Sequence, residues 1–278
     1  MSGTTIADYG ALESILIVFQ NPRAGRRDSY DDWYTHVHIR DAMRLDGAIA
    51  TQRFVTAVEQ PVIGGGAVDP GYFAHTIYEW ESAAKSVAGH SARAGTPLME
   101  ISGDCLFEGL RDYFFRPVFL SHGWTREAGF RRGDSVMTAL ILPPEGEGRA
   151  FARWFEDRHV PAALALDGIG SIGLFALHEE QSLPVPLRFP LAAVYGVTDR
   201  ATAVRAWGTA AGTGSDADLA AHAREVEIGC WQPRIARLRA EQVADPDAAS
   251  AAEEARARAA HADRFLSQRQ LHDLLTTI

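Results

Sequence analysis

DDWYTHVHIRDAMRLDGAIATQRFVTAVEQ (residues 31–60) aligns without a gap on ARWFEDRHVPAALALDGIGSIGLFALHEEQ (residues 152–181) at a single offset of 121. Trp33 meets Trp154, Tyr34 meets Phe155, His38 meets His159, and Leu45-Asp46-Gly47 meets Leu166-Asp167-Gly168. Phe54 then meets Phe175, and Glu59-Gln60 meets Glu180-Gln181. Further on the offset shrinks, as loops of unequal length require: Tyr78 faces Tyr195 at 117, and Phe115-Arg116-Pro117 faces Trp231-Gln232-Pro233 at 116. A collinear series of this kind marks an internal duplication.

Each copy reads in the same order. SILIVFQ (14–20) and SVMTALIL (135–142) are apolar runs stopped by Asn21-Pro22 and Pro143-Pro144, hence strands. Residues 29–45 and 148–166 carry apolar residues at helical spacing: Tyr34, His38, Ala42 and Leu45, then Phe155, His159, Ala163 and Leu166. Asp28 or Ser29 is the expected cap of the first helix, and Gly47 and Gly168 follow the ends. Second strands are expected at 48–58 and 169–178, third strands at 72–80 and 188–197, and fourth strands at 104–119 and 225–238. Helical segments are expected at 82–94 and 199–224.

The order βαββαβ describes a ferredoxin-like, four-stranded antiparallel sheet with both helices on one face. Its other face is apolar and needs a partner sheet, which the second copy provides. The expected fold is therefore α+β. Tandem ferredoxin-like units, 1–124 and 125–240, form a pseudo-dimeric α/β barrel of eight strands within one chain, followed by a helical tail at 241–278. Phe265, Leu266, Leu271, Leu274 and Leu275 can dock that tail on the body or on a second chain, making a homodimer.

Composition narrows the function. A net charge of −9 argues against a nucleic-acid surface, and no run approaches the ~20 apolar residues of a membrane span. The start lacks the features of a signal peptide, so a cytoplasmic location is expected. Cys105 and Cys230 are too few for a disulfide framework or a structural zinc site and are expected to be buried. Gly64-Gly65-Gly66 has no following Lys-Ser/Thr and reads as a hairpin loop rather than a phosphate cradle. His36-x-His38 is not a metal pair, because residues two apart on a helix point to different sides. No metal site, dinucleotide fingerprint or nucleophile elbow is present.

The segments WYTHVHIRDAMRLDGAIATQRF and WFEDRHVPAALALDGIGSIGLF resemble the EthD-like branch of the dimeric α/β-barrel superfamily. The shared pattern is an aromatic-rich helix, a His before Val or Ile, then Pro, and a Gly-containing turn into the second strand. Copy one departs from it, with Arg40 where Pro161 stands in copy two. The resemblance covers about residues 14–238. It implies a ligand pocket between the helices and the sheet of one unit. Relatives include cofactor-free monooxygenases, muconolactone-type isomerases, polyketide cyclases and haem proteins, so the fold does not choose the chemistry.

The helix face carrying Tyr34 and His38 should meet that pocket. His38 is the candidate general acid/base, with Arg53 or His75 stabilising a developing oxyanion. Trp33, Tyr34 and Tyr78 are candidate substrate contacts, and His159 is a further one. For both histidines a backbone hydrogen bond at the helix–sheet seam is the structural alternative. Polar residues concentrate in copy one, where Arg53 and His75 replace Leu174 and roughly Ala192. The active pocket is therefore expected there, while Arg40, Asp41 and Arg44 read mainly as a solvated helix face. The expected function is a cofactor-independent lyase or isomerase acting by proton transfer on a hydrophobic, aromatic small molecule. The alternatives are a cofactor-free monooxygenase of a phenol and a non-catalytic binding or assembly protein. No cofactor is expected, although one axial histidine would suffice for haem.

Overall fold

The computed structural model describes residues 9–63 and 66–276. In the first copy, strand β1 (Ser14–Pro22) leads into helix α1 (27–43), followed by β2 (Ala48–Thr56), β3 (Ala74–Trp80), α2 (Ala83–Arg93) and β4 (Cys105–Leu120). In the second, β5 (Ser135–Leu142) leads into α3 (148–164), then β6 (Ile169–Leu177), β7 (Leu191–Val197), α4 (Arg200–Ala210), the short α5 (Leu219–His222) and β8 (Glu225–Pro233). The tail holds α6 (Ala240–Ala244), α7 (Ala248–His261), a 3₁₀ turn and α8 (Gln268–Leu275).

The strands follow the order β8-β5-β7-β6-β4-β1-β3-β2, and β8 pairs with β2 to close the barrel. Every pairing is antiparallel. Each half is ordered 4-1-3-2, and the halves join where the fourth strand of one meets the second strand of the other. Phe115 pairs with Leu177 at one seam and Trp231 with Thr56 at the opposite one. Ser14 faces Trp80 in copy one and Ser135 faces Val197 in copy two, at the offsets of the sequence alignment. The chain is a tandem ferredoxin-like pair closed into one α/β barrel.

Strand alternation sorts the side chains into three cores. Ile15, Ile17 and Phe19 point into the barrel, where they meet Phe54, Phe115, Val136, Phe175, Val194 and Trp231. Leu16 and Val18 point outward to α1 and the tail. Met137, Ala139 and Ile141 point outward to α3 and α4.

Both long helices carry the same irregularity. Inside α1, Arg27–Trp33 is α-helical, Tyr34–His38 is a π turn, and Ile39–Met43 resumes the α form; in α3 the π turn is Phe155–His159. A π turn inserts one residue and turns the following side chains, and such insertions recur at functional sites. Here each ends on the histidine of the repeat.

The expected caps are not used. Helix α1 starts at Arg27, and Ser29 donates its hydroxyl hydrogen bond to Asp104 instead. Gly168 does end α3 as expected, at φ +86°, and a Cβ there would lie 2.7 Å from Ala203 N. Gly66 belongs to a short hairpin, Val62–Ile63 with Gly66–Ala67, whereas Gly64 and Gly65 lie outside the described residues.

The tail docks on copy one. Helix α7 lies along α1, and its Glu254 accepts both guanidinium nitrogens of Arg44 at 2.8 Å. Arg258 bonds Asp41, Glu254 at 2.8 Å and Glu100 at 2.7 Å, while Arg40 donates to the Ser250 carbonyl at 3.2 Å. Asp41 is left 2% exposed and Arg40 9%. The solvated face expected for these residues is thus corrected for Arg40 and Asp41, whereas Arg44 keeps its exposure while pairing with Glu254. These charges are concentrated in copy one because a second layer of helix covers them there.

Candidate active site

Between α1, the outer face of the first sheet and the tail lies a cavity of about 360 Å³. Leu16, Val18 and Gln20 of β1 form its floor, and Trp33, Tyr34 and His38 of α1 form one wall. Tyr78, Leu110 and Asp112 extend the floor along β3 and β4, and His90 of α2 closes a side. Helix α8 roofs it with Leu271, His272 and Leu275.

One position on its side differs in bulk between the repeats. Helices α2 and α4 align at the offset of 117, so His90 corresponds to Trp207. In copy two the Trp207 indole is buried and stands edge-on to Tyr195, 4.9 Å between ring centroids, filling the space. The smaller His90 leaves it open.

His38 is deep in the protein, yet its ring is only half-buried because part of it faces the cavity. It stacks on Trp33 at 4.9 Å and meets Tyr34 edge-on at 4.8 Å. Its Nδ1 is buried with no hydrogen-bond partner among the described residues. Burial drives its pKa down to about 3, with His90 and Arg53 adding to the effect, so the imidazole is neutral.

His159 shows the contrasting, fully satisfied arrangement. Its Nδ1 donates to the Asp216 carbonyl at 2.9 Å, and its Nε2 accepts from the Tyr195 hydroxyl at 2.9 Å. Phe155 has no hydroxyl to compete for Tyr195. In copy one Tyr34 does, and its hydroxyl pairs with that of Tyr78 at 3.2 Å. Burial raises both phenols, Tyr34 to about 12 and Tyr78 well above the ordinary value, so they remain protonated.

The structure brings Trp33, Tyr34, His38 and Tyr78 together and leaves Arg53, His75 and His159 elsewhere. Arg53 is fully buried under α1, where it bonds Asp31 and Thr35 and lies 4.9 Å from the Tyr34 ring, on the side away from the cavity lining. His75 points into the barrel. It stacks on Phe19 at 4.5 Å, donates from Nδ1 to the Val18 carbonyl at 3.2 Å and accepts from Thr138 at 3.0 Å. Strand parity explains this: residues 75 and 77 face inward, so Tyr78 must face outward. His159 is on the far repeat.

Several polar cavity residues were not anticipated, among them Ser91, Gln268 and His272 as well as His90, Asp112 and Gln20. His90 donates from Nδ1 to the Ser86 carbonyl at 2.9 Å, leaving Nε2 as an acceptor. Asp112 accepts from the Ser182 hydroxyl, and burial pushes its carboxyl up to about 6. Gln20 is engaged by the Tyr30 hydroxyl at 3.1 Å. The Cys105 thiol also borders the cavity, but burial pushes it up, so it is no nucleophile. The signal available for His90 was its alignment with Trp207; Asp112 carried none. His36 turns away from His38 toward Asp32 and Glu253, and no cluster of metal ligands occurs among the described residues.

No family model and no curated protein matches the chain. Solved structures do. An anthrone oxidase-like protein is 12% identical, with 83% of this chain and 94% of that one covered and a TM-score of 0.54. The chain has the dimeric α/β-barrel fold. Weaker likenesses are a protein provisionally named as a monooxygenase from Fusobacterium nucleatum subsp. nucleatum (9% identity, 82% and 95% covered, TM-score 0.47) and a mutant chlorite dismutase from Candidatus Nitrospira defluvii (10%, 84% and 93%, TM-score 0.46).

Haem proteins occur on this fold, and a haem here would take its axial ligand from His38, His90 or His272, the histidines that line the cavity. His38 does not fit that role. A ligating imidazole has its second nitrogen anchored by a hydrogen bond, whereas His38 Nδ1 has none. The cavity lining also offers no lysine or arginine to haem carboxylates. No helix among the described residues is long and apolar enough to cross a membrane.

Proposed function

We propose that the protein is an enzyme acting on a hydrophobic, aromatic small molecule held in the first-repeat cavity, with His38 as its acid/base and no cofactor. The observation carrying this reading is that the same histidine is fully hydrogen-bonded in copy two, whereas in copy one its ring lines a cavity and its buried Nδ1 has no partner among the described residues. A core imidazole kept for structure would be satisfied, as His159 is. A neutral imidazole accepts a proton from a ligand hydroxyl or an activated C–H. The imidazolium so formed would be paired with the anion it creates, which offsets its burial.

The reaction class in this reading is proton transfer: isomerisation, cyclisation or carbon–carbon cleavage. Arg53, one aromatic ring behind Tyr34, adds positive potential rather than direct contact. The EthD-like resemblance of the His38 and His159 segments and a cytoplasmic setting belong to the same reading. An open cavity speaks against a purely structural or assembly role, which a filled one would have favoured.

Replacing His38 with Gln should abolish turnover of aromatic substrates while circular dichroism and the melting profile stay those of the parent. Full activity in His38→Gln would sink the assignment. A second reading, cofactor-free oxygenation of a phenol, is favoured by the name of the anthrone oxidase-like neighbour. Oxygen consumption that matches product formation would select it; turnover under argon would select proton transfer alone.

A further inference from the structure

Two polar residues of the cavity, His90 and Asp112, present acceptors to a ligand, which the enzyme reading above does not specify. We infer that His90 and Asp112 are specificity-determining residues that select an uncharged apolar ligand carrying hydrogen-bond donors and reject anions; this rests on the cavity being the substrate site. His90 spends its only N–H on the Ser86 carbonyl, at 2.9 Å, so the ring meets a ligand with a bare Nε2 lone pair. Asp112 receives one hydrogen bond, from Ser182, and no arginine or lysine pairs with it. Above pH 6 it presents carboxylate lone pairs.

The nearby cations make their hydrogen bonds away from the cavity, while Arg53 Nε and Nη2 and Arg40 Nε are buried without a partner among the described residues. Arg53 is held by Asp31 and Thr35 behind Tyr34, and Arg40, Arg44 and Arg258 face the tail. Among the described residues no lysine or arginine lines the cavity, whose remaining surface is aliphatic and aromatic with Gln20, Ser91, Gln268 and His272 as further polar residues. A carboxylate or phosphate ligand would lose its hydration, meet no positive charge and approach Asp112 at like charge. A ligand bearing only acceptors, such as an ether, would leave His90 Nε2 and Asp112 unsatisfied, whereas a hydroxyl-bearing ring would satisfy both.

The test uses three probes of one shape on the full-length protein, read by quenching of Trp33 fluorescence and by calorimetry. They are 2,6-dihydroxynaphthalene, 2,6-dimethoxynaphthalene and naphthalene-2,6-dicarboxylate. The diol should bind about tenfold or more tightly than the dimethyl ether, the equivalent of one unmade hydrogen bond, and the dicarboxylate should not bind. Asp112→Asn, which supplies a donor, should narrow the gap between diol and ether about tenfold. His90→Trp, which installs the residue of copy two, should abolish diol binding in a folded protein. Failure of the diol to bind at millimolar concentration, ether or dicarboxylate binding as tightly as the diol, or diol binding that survives His90→Trp each overturns the inference. Selective diol binding without turnover would sink the enzyme reading alone, and turnover with no preference for donors would sink this inference alone.

Discussion

The Tyr34 and Tyr78 hydroxyls pair at 3.2 Å, and no hydrogen bond joins Tyr78 to His38 among the described residues. In copy two, where Phe155 replaces Tyr34, the matching Tyr195 hydroxyl has turned to His159 at 2.9 Å. The hydroxyl of Tyr34, absent from Phe155, is thus one difference between the paired histidine of copy two and the unpaired one of copy one.

Tyr34→Phe should therefore convert copy one to the arrangement of copy two, with the Tyr78 hydroxyl donated to His38. Turnover should fall about tenfold, as expected when a hydrogen bond must be broken before the substrate can use the imidazole. The ¹⁵N shifts of the His38 ring should move toward those of His159. Unaltered shifts together with unaltered turnover would remove Tyr34 from the site.

Trp207 fills in copy two the space that His90 leaves open in copy one. Trp207→Ala should cost about 3 kcal/mol in urea unfolding, the usual loss for a buried indole. A loss below about 1 kcal/mol would mean that the neighbouring side chains collapse into the space.

Arg258 neutralises Asp41, which is 2% exposed. Arg258→Met should destabilise the fold by about 2 kcal/mol, because it leaves the buried Asp41 carboxylate with only Arg44, at 3.4 Å, and the Glu100 amide. Adding Asp41→Asn should recover a good part of the loss. A double variant no more stable than the single one would show that the network is held by Glu254 alone.

Acid should weaken the fold from a defined point. Burial lowers His75 and His38 to about 3 and His159 to about 4. Below pH 6.5 the unfolded chain takes up protons that these rings refuse, so stability present above 6.5 is lost as pH falls toward 3 or 4. Each ring contributes at most about 1.4 kcal/mol per pH unit. Asp112 acts in the opposite sense: raised to about 6, it favours the fold in acid and loses that contribution as pH rises from 3.8 through 6. His75→Gln should flatten the decline in the urea midpoint between pH 6.5 and 4; an unchanged slope would show that His75 is not titrating with unfolding.

The duplication, the strand order and the helix carrying Tyr34 and His38 were legible because apolar periodicity and collinear matches are local in sequence. The alternation of β3 was equally local, and it could have placed His75 inside the barrel while Tyr78 faced out. Asp112 was not legible, since its role depends on Ser182, 70 residues away. The charges on α1 were misread as solvated for a related reason. Their partners Glu254 and Arg258 lie in a tail more than 200 residues away, and only the docked geometry reveals the salt bridges beneath it.

The crossed seams of the barrel have a consequence for synthesis. β4 needs β6 and β2 needs β8, so as the first repeat leaves the ribosome it has two open strand edges and a bare apolar sheet face. Such edges invite pairing with other chains until the second repeat arrives. Nascent chains paused near residue 124 are thus the aggregation-prone species of this protein, and supplying the second repeat as a separate polypeptide should rescue them by completing the barrel in trans.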